Sequence, residues 1–387
     1  MNDGVRTSIR RTGLAWLAVV GLSACGPDQG SPPGGDFALL AQAVEGFEEA
    51  RPGVRLVFPR DHGPHPGYRI EWWYVTANLR DASGNPYGAQ WTLFRLATRP
   101  PGTDVAANPW HSGQVFMAHM ALTWPEGHVG FARYARGGDH AGVAQAGAQP
   151  TPFAAWLDDW SLRSMDSAWL PLQTQAHQDD MGLSLRLDSQ QPLVLQGDGG
   201  FSQKHHNGHG SFYYSQPFLT ATGTLTIQGQ AIAVSGQAWL DHEWSSQFLQ
   251  PDQAGWDWFA LHLDSGEKLM LFQLRARPGS LSAKNFQHGL LLSPNGEPTP
   301  LRGDRIHLEP LAFTSIAGRK LPLRWRVSLP QIGRTLDISA LRPDQWMAAD
   351  FAYWEGVIRV SGSDARSTGW GYLEMTGYPV EEDAEPE

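Results

Sequence analysis

The chain has 387 residues, too many for one small domain, and its formal net charge of -10, with no offsetting basic stripe, argues against a nucleic-acid partner. Apolar residues make up 41%, enough for real cores, while 43 glycines, 28 prolines and 17 tryptophans suit short strands and turns better than long helices. With Cys25 as the single cysteine, a disulfide framework is excluded.

The first 25 residues read as a lipoprotein signal peptide. Arg6, Arg10 and Arg11 give a positive start, residues 13–22 an apolar run, and Leu22-Ser-Ala-Cys25 the end. The run is far below the roughly 20 residues of a spanning helix. Leu-Ser-Ala-Cys resembles the bacterial lipobox, which implies cleavage before Cys25 and lipidation of its sulfur. The mature protein is then expected in the cell envelope, tethered to a membrane and facing the periplasm, at the outer membrane rather than the inner. Residues 26–50 are predicted to be a Pro/Gly/Ser-rich tether with a possible short helix over 37–50.

Globular structure is expected from near Tyr68. Glu71-Trp-Trp-Tyr-Val-Thr-Ala-Asn-Leu79 alternates in aromatic and β-branched types; Asp81-Ala-Ser-Gly-Asn85 is turn chemistry, and Trp91-Thr-Leu-Phe94 returns. Val115-Phe-Met-Ala-His-Met-Ala-Leu-Thr123 is another strand. Residues 133–155 lack periodicity and read as a long loop. Short strands follow at 160–163, 181–187, 193–195, 212–214, 223–227 and 231–235, with a His- and Gly-rich loop over 197–210. No helical pattern interrupts them, which points to an all-β protein of antiparallel sheets closing on themselves.

The second half echoes the first. Trp256-Asp-Trp-Phe-Ala-Leu-His-Leu263, a turn at 264–267 and Leu269-Met-Leu-Phe-Gln-Leu274 repeat the hairpin of residues 72–94. Gly356-Val-Ile-Arg-Val-Ser-Gly362 followed by Trp370 parallels 223–229 followed by Trp239. Two tandem antiparallel barrels are expected, over residues 51–248 and 249–380, with an acidic, disordered tail at 381–387.

The densest chemistry lies at Trp239-Leu-Asp-His-Glu-Trp244 and Gly255-Trp-Asp-Trp258. Neither a solvated loop nor an ordinary core has reason to combine so many indoles with Asp241, His242 and Glu243. In a regular strand Leu240, His242 and Trp244 share one face, and Trp239, Asp241 and Glu243 the other. One face of each strand must point into its barrel, so a polar and aromatic set is expected to line an interior cavity. Two carboxylates at i and i+2 on one buried face raise the pKa of one, which makes an acid able to donate near neutral pH. The alternative is that Asp241 and Glu243 are exposed and anchor a turn.

At these residues the chain resembles a known family. Glu71-Trp-Trp-Tyr74, Ala118-His119, Phe212-Tyr-Tyr-Ser215, the 239–244 and 255–259 stretches, Tyr353-Trp-Glu-Gly356 and Gly371-Tyr-Leu-Glu-Met-Thr-Gly-Tyr378 look like the lipocalin-like, carotenoid 1,2-hydratase-related family, also known by the AttH-domain name. The resemblance spans roughly residues 68–378. It implies two lipocalin-like β-barrels and an apolar, isoprenoid- or lipid-like ligand, without fixing the reaction. Its motif positions map onto Glu71, Trp72, Trp73, Tyr74, His119, Tyr214, Asp241, His242, Trp244, Trp256 and Trp258.

Alkene hydration needs a proton donor, a stabilised cation and a positioned water. Asp241 could supply the proton, the indoles of Trp72, Trp244, Trp256 and Trp258 the stabilisation, and His242 the hold on water. Asp241, His242 and Glu243 are therefore the catalytic candidates, and Glu71, Trp72, Trp73, Tyr74, His119, Tyr214, Trp239, Trp244, Trp256 and Trp258 the substrate-binding ones. The same list describes an apolar pocket with polar anchors, so a non-catalytic periplasmic lipid carrier is the alternative. His119 reads either as a satisfied core histidine or as a ligand contact, and Glu71 also reads as a structural anchor at a barrel end. Serine-hydrolase chemistry lacks a G-x-S-x-G elbow. Lys204-His-His-Asn-Gly-His209 clusters imidazoles, but a Gly-rich loop is more often simply solvated and no H-E-x-x-H accompanies it. No metal and no cofactor are expected.

Overall fold

The computed structural model describes residues 44–103, 113–137, 145–280 and 284–381. The expected signal peptide, Cys25, most of the tether and the acidic tail beyond Glu381 lie outside the described residues. The described end of the expected short helix, residues 44–50, is turn and irregular chain instead. Gly46 sits at φ +91°, and the Glu48 N–H donates to Gly67 O at 2.9 Å rather than within a helix. Among the described residues the helical pieces are three-residue 3-10 turns.

The first sheet contains β1 (Ile70–Arg80), β2 (Pro86–Ala97), β3 (Gln114–Trp124), β4 (Gly127–Arg136), β5 (Ala146–Pro150), β6 (Phe153–Leu157), β7 (Trp160–Ser164), β8 (Leu172–Gln178), β9 (Met181–Asp188), β10 (Val194–Leu195), β11 (Phe201–Gln203), β12 (Gly210–Ile227) and β13 (Gln230–Ser245). The order is β4-β3-β2-β1-β13-β12-β9-β8-β7-β6-β5, antiparallel throughout, with β10 and β11 on β12. It curls into a nearly closed barrel. The second sheet contains β14 (Gln253–Leu263), β15 (Lys268–Ala276), β16 (Phe286–Leu292), β17 (Pro298–Arg302), β18 (His307–Ile316), β19 (Arg319–Leu329), β20 (Arg334–Ala340), β21 (Trp346–Met347), β22 (Tyr353–Ser361) and β23 (Gly369–Met375). It forms a half-barrel in the order β17-β16-β15-β14-β23-β22-β20-β19-β18, with β21 on β22. Each sheet lays its first strand beside its last, β1 on β13 and β14 on β23.

Two local readings change. Residues 133–155 are not one loop: β4 runs to Arg136, and β5 and β6 follow. The alternation of buried Phe153, Ala155 and Leu157 is too short to stand out in a Gly/Ala-rich stretch. Residues 212–227 form one long strand, with the register slipping between Gln216 and Leu219. Pro217 lies there and cannot donate a ladder hydrogen bond.

Alternation along the strands builds three cores. Trp73, Val75, Ala77 and Leu79 of β1 face the first barrel's interior with Trp91, Met120, Leu240 and Trp244. Phe259, Leu261, Leu271 and Trp325 fill the second. The opposite faces meet one another: Ile70, Tyr74 and Trp239 of the first sheet pack on Trp258, Met270, Phe272 and Val357 of the second. A buried aromatic of this size contributes roughly 2–3 kcal/mol through area removed from water. The two sheets approach closely at Gly88, where an added Cβ would sit 2.4 Å from Val357 Cγ2 and 2.6 Å from the Tyr372 hydroxyl. Only glycine permits that approach.

Candidate active site between the two sheets

β13 carries ionisable side chains on both faces, and the register of the first sheet sorts them into two sites. Antiparallel neighbours share a face. Tyr74 and Ser215 flank Asp241, and Trp72 and Tyr213 flank Glu243. These rows look toward the second sheet. Trp73 and Tyr214 flank His242, and Glu71 and Phe212 flank Trp244. These look into the first barrel.

The seam between the sheets holds a cavity of about 80 Å³. Its wall includes Trp72, Tyr213, Asp241 and Glu243 on one side and Trp256, Trp258 and Glu374 on the other. The polar residues are held rigidly. Asp241 Oδ1 accepts from Ser215 Oγ at 2.5 Å and from the Trp239 indole N–H at 2.7 Å. Asp241 Oδ2 accepts from the Tyr213 hydroxyl at 2.7 Å, and Tyr213 in turn accepts from the Trp258 indole at 3.2 Å. Despite three donors, burial pushes the Asp241 carboxyl up to about 7. Desolvation outweighs the hydrogen bonds.

A second acid row faces it. Glu374 pairs across strands with Trp258 on one side and Glu355 on the other. Burial, then the charges of Asp241 and Glu243, push Glu374 up to about 8. Glu355, also buried, is raised well above the usual carboxylate range by burial and by Glu374, and accepts from the Tyr74 hydroxyl at 2.5 Å. The one cation in the cavity wall, Lys204, lies 2.8 Å from Glu243 and stacks over the rings of Tyr213, Phe248 and Phe272. Glu243 also accepts from Ser211. His119 is fully buried beside the cavity; its Nδ1 lies 2.7 Å from the Tyr353 hydroxyl, and burial pulls it down to about 3.

On the barrel side, Glu71 is fully buried and fully bonded. Its Oε1 meets His65 Nδ1 at 2.7 Å and His242 Nε2 at 2.9 Å; its Oε2 accepts from Arg95 Nε at 2.7 Å and from the His65 N–H at 3.0 Å. Burial alone would raise this carboxyl, but Arg95 and then His65 hold it well below the usual range. Burial pulls His242 down to about 4, so it is neutral, and it stacks on Trp73. His65 stacks on Trp244 at 3.8 Å. His65, Glu71 and His242 are the one trio among the described residues with metal-ligand spacing. Arg95 already neutralises the carboxylate, and every lone pair it offers is taken, so the trio fits a structural ion network better than a cation site. The His-rich loop disperses its imidazoles: His205 reaches Asp252, His206 the Asn285 carbonyl and His209 the Gln247 carbonyl.

The catalytic candidates therefore divide. Asp241 and Glu243 share the seam cavity with Trp72, Tyr74, Trp256 and Trp258, with Trp239 and His119 directly behind its wall. His242 lies across the sheet with Glu71, Trp73, Tyr214 and Trp244, too far round the backbone to serve the same ligand. The expected cavity inside a barrel is instead a cavity between barrels, because the acid-bearing face of β13 is the convex one. Tyr213, Lys204, Glu355 and Glu374 were not among the candidates. Strand parity shows that only one of Tyr213 and Tyr214 can face Asp241; which one depends on the β12–β13 register. Lys204 sits in an aperiodic loop and leaves no sequence signal.

The fold and this seam define a lipocalin-like, two-barrel protein with buried acids where the barrels meet. Residues 49–378 match the AttH-like family, and the chain belongs to it. A crystal structure from Nitrosomonas europaea bearing an AttH designation is similar at 34% identity with a TM-score of 0.74, covering 86% of this chain and 100% of that one. Kievitone hydratase from Nectria haematococca shares the fold at 16% identity and a TM-score of 0.64, covering 87% of this chain and 98% of that one. No curated protein matches.

Proposed function

We propose that the protein is a hydratase-type enzyme that protonates a carbon–carbon double bond of an apolar ligand in the seam cavity and adds water to the resulting cation. The supporting observation is Asp241, a carboxylic acid with a pKa near 7 on the wall of a largely aromatic cavity. The proton moves from Asp241, alone or through Tyr213, to the nearer alkene carbon; water adds to the other carbon and loses its proton to the carboxylate so generated or to Glu243. The ring faces of Trp72, Trp256 and Trp258 stabilise the intermediate charge, each worth up to about 2 kcal/mol when desolvated. A cavity of about 80 Å³ takes the reacting end of a ligand, with the remainder along the seam. The hydratase neighbour supports this reading by fold alone. Cys25 lipidation, and with it attachment to the envelope membrane, is part of the same proposal.

The test is mass spectrometry of apolar molecules that co-purify with the mature protein, before and after incubation. A gain of one water by wild type, absent in Asp241→Asn with the ligand still retained, supports the reading. Retained ligand with no mass change in either protein points to a carrier instead.

A further inference from the structure

The seam has a second, polar half. Beyond Tyr74, the same face of β1 carries Thr76, Asn78 and Arg80, paired with Trp239 and Gln237 of β13 and with Gln90 and Gly88 of β2. Opposite lie Ala260 and His262 of β14. This end opens into a cleft of about 330 Å³ lined by Asn78, Gln237, His262 and Trp370 among others. Between cleft and acids, a series of buried polar atoms has no partner in the protein: Asn78 Oδ1, His262 Nδ1, Thr76 Oγ1 and Gln90 Oε1, with His119 Nε2 to the side in the Tyr74 row. Thr76, Gln90, His119 and His262 are each at most 5% exposed.

Buried polar atoms are rarely left unbonded, and a run of them on two facing surfaces has the polar partners that ordered water requires. The row is continuous. Thr76 lies midway on one strand face between Asn78, which lines the cleft, and Tyr74, which lines the acid cavity. The His262 ring meets Trp239 edge-on at 5.9 Å, and the Trp239 indole donates to Asp241. At the Gly88 edge of the same surface, Val357 and Tyr372 close the seam.

We infer that the polar half of the seam is a water passage, entered at His262 and Asn78 and leading past Thr76 to Asp241. Apolar ligand and water then reach the acid from opposite ends, so the ligand does not block the co-substrate. The passage's purpose rests on the proposed water-adding reaction; its existence does not.

Hydrogen exchange of indole N–H groups tests it with no substrate. Trp239 and Trp73 are both 0% exposed and both hydrogen-bonded, Trp73 to the His62 carbonyl inside the first barrel. After transfer of the whole protein to D2O, the Trp239 indole signal is expected to decay at least about tenfold faster than that of Trp73. Thr76→Val, which keeps the shape and removes the hydroxyl, and Asn78→Leu, which plugs the mouth, should each slow Trp239 several-fold and leave Trp73 unchanged. Equal wild-type rates, or a fast Trp239 rate that neither variant changes, overturn the passage. Because no turnover is measured, a protein that exchanges as expected but hydrates nothing refutes only the proposed reaction.

Discussion

Asp241→Asn separates the electrostatics of the seam from its packing. In the native protein Asp241 titrates near 7, against 3.8 for a free carboxyl. A raised folded pKa means that the folded state favours the proton. The stability that Asp241 contributes is therefore fully present below about pH 4 and lost as pH rises from about 4 to about 7. The shift of about three units amounts to about 4 kcal/mol at full ionisation, at 1.36 kcal/mol per unit. Asparagine has no charge to desolvate. Its carbonyl can take the Oδ1 position and accept from Ser215 and Trp239, while its NH2 donates to Tyr213, which can reverse its hydroxyl. The variant should match wild type at pH 4 and exceed it by up to about 4 kcal/mol at pH 8. Urea titrations monitored by tryptophan fluorescence from pH 4 to pH 9 measure the difference directly. Glu374 titrates in both proteins; in the variant it is relieved of the Asp241 charge that helps raise it, so its change adds to the difference in the same direction. A stability difference that does not change with pH would show that Asp241 is not a neutral buried acid, and the proposed proton donor would be lost with it.

Other substitutions probe the remaining parts. Glu71→Gln leaves Arg95 and His65 facing each other across a neutral amide inside the first barrel; a loss of about 3–5 kcal/mol in urea unfolding is expected, as for a broken buried ion network. Lys204→Met strands Glu243 at the seam and should cost a similar amount, whereas Lys204→Met combined with Glu243→Gln should recover part of it; additive losses in the same assay would argue that the pair is not coupled. Trp256→Ala should empty the cavity wall and abolish retention of the co-purified apolar ligand with little change in the first barrel's stability.

Much of the architecture was legible because it follows from local chemistry. The period of two in Glu71-Trp-Trp-Tyr74 and in residues 239–244, and the turn residues at 81–85 and 264–267, specify strands and hairpins. The partition of Asp241 and Glu243 from His242 also follows from alternation alone. Where that signal is weak, in the Gly/Ala-rich residues 145–157 and across Pro217, strands were missed or divided.

What alternation could not decide was which space each face looks into. That depends on the curvature of a sheet closed by strands far apart in sequence, and on a second sheet pressed against its outer side. Tyr74 meets Glu355 across 281 residues, and His119 meets Tyr353 across 234. No short-range pattern encodes such pairs. The sequence determined that acids and indoles share one face of β13; only the tertiary structure made that face the wall between two barrels, where burial against the second sheet turns an ordinary aspartate into an acid poised near neutrality.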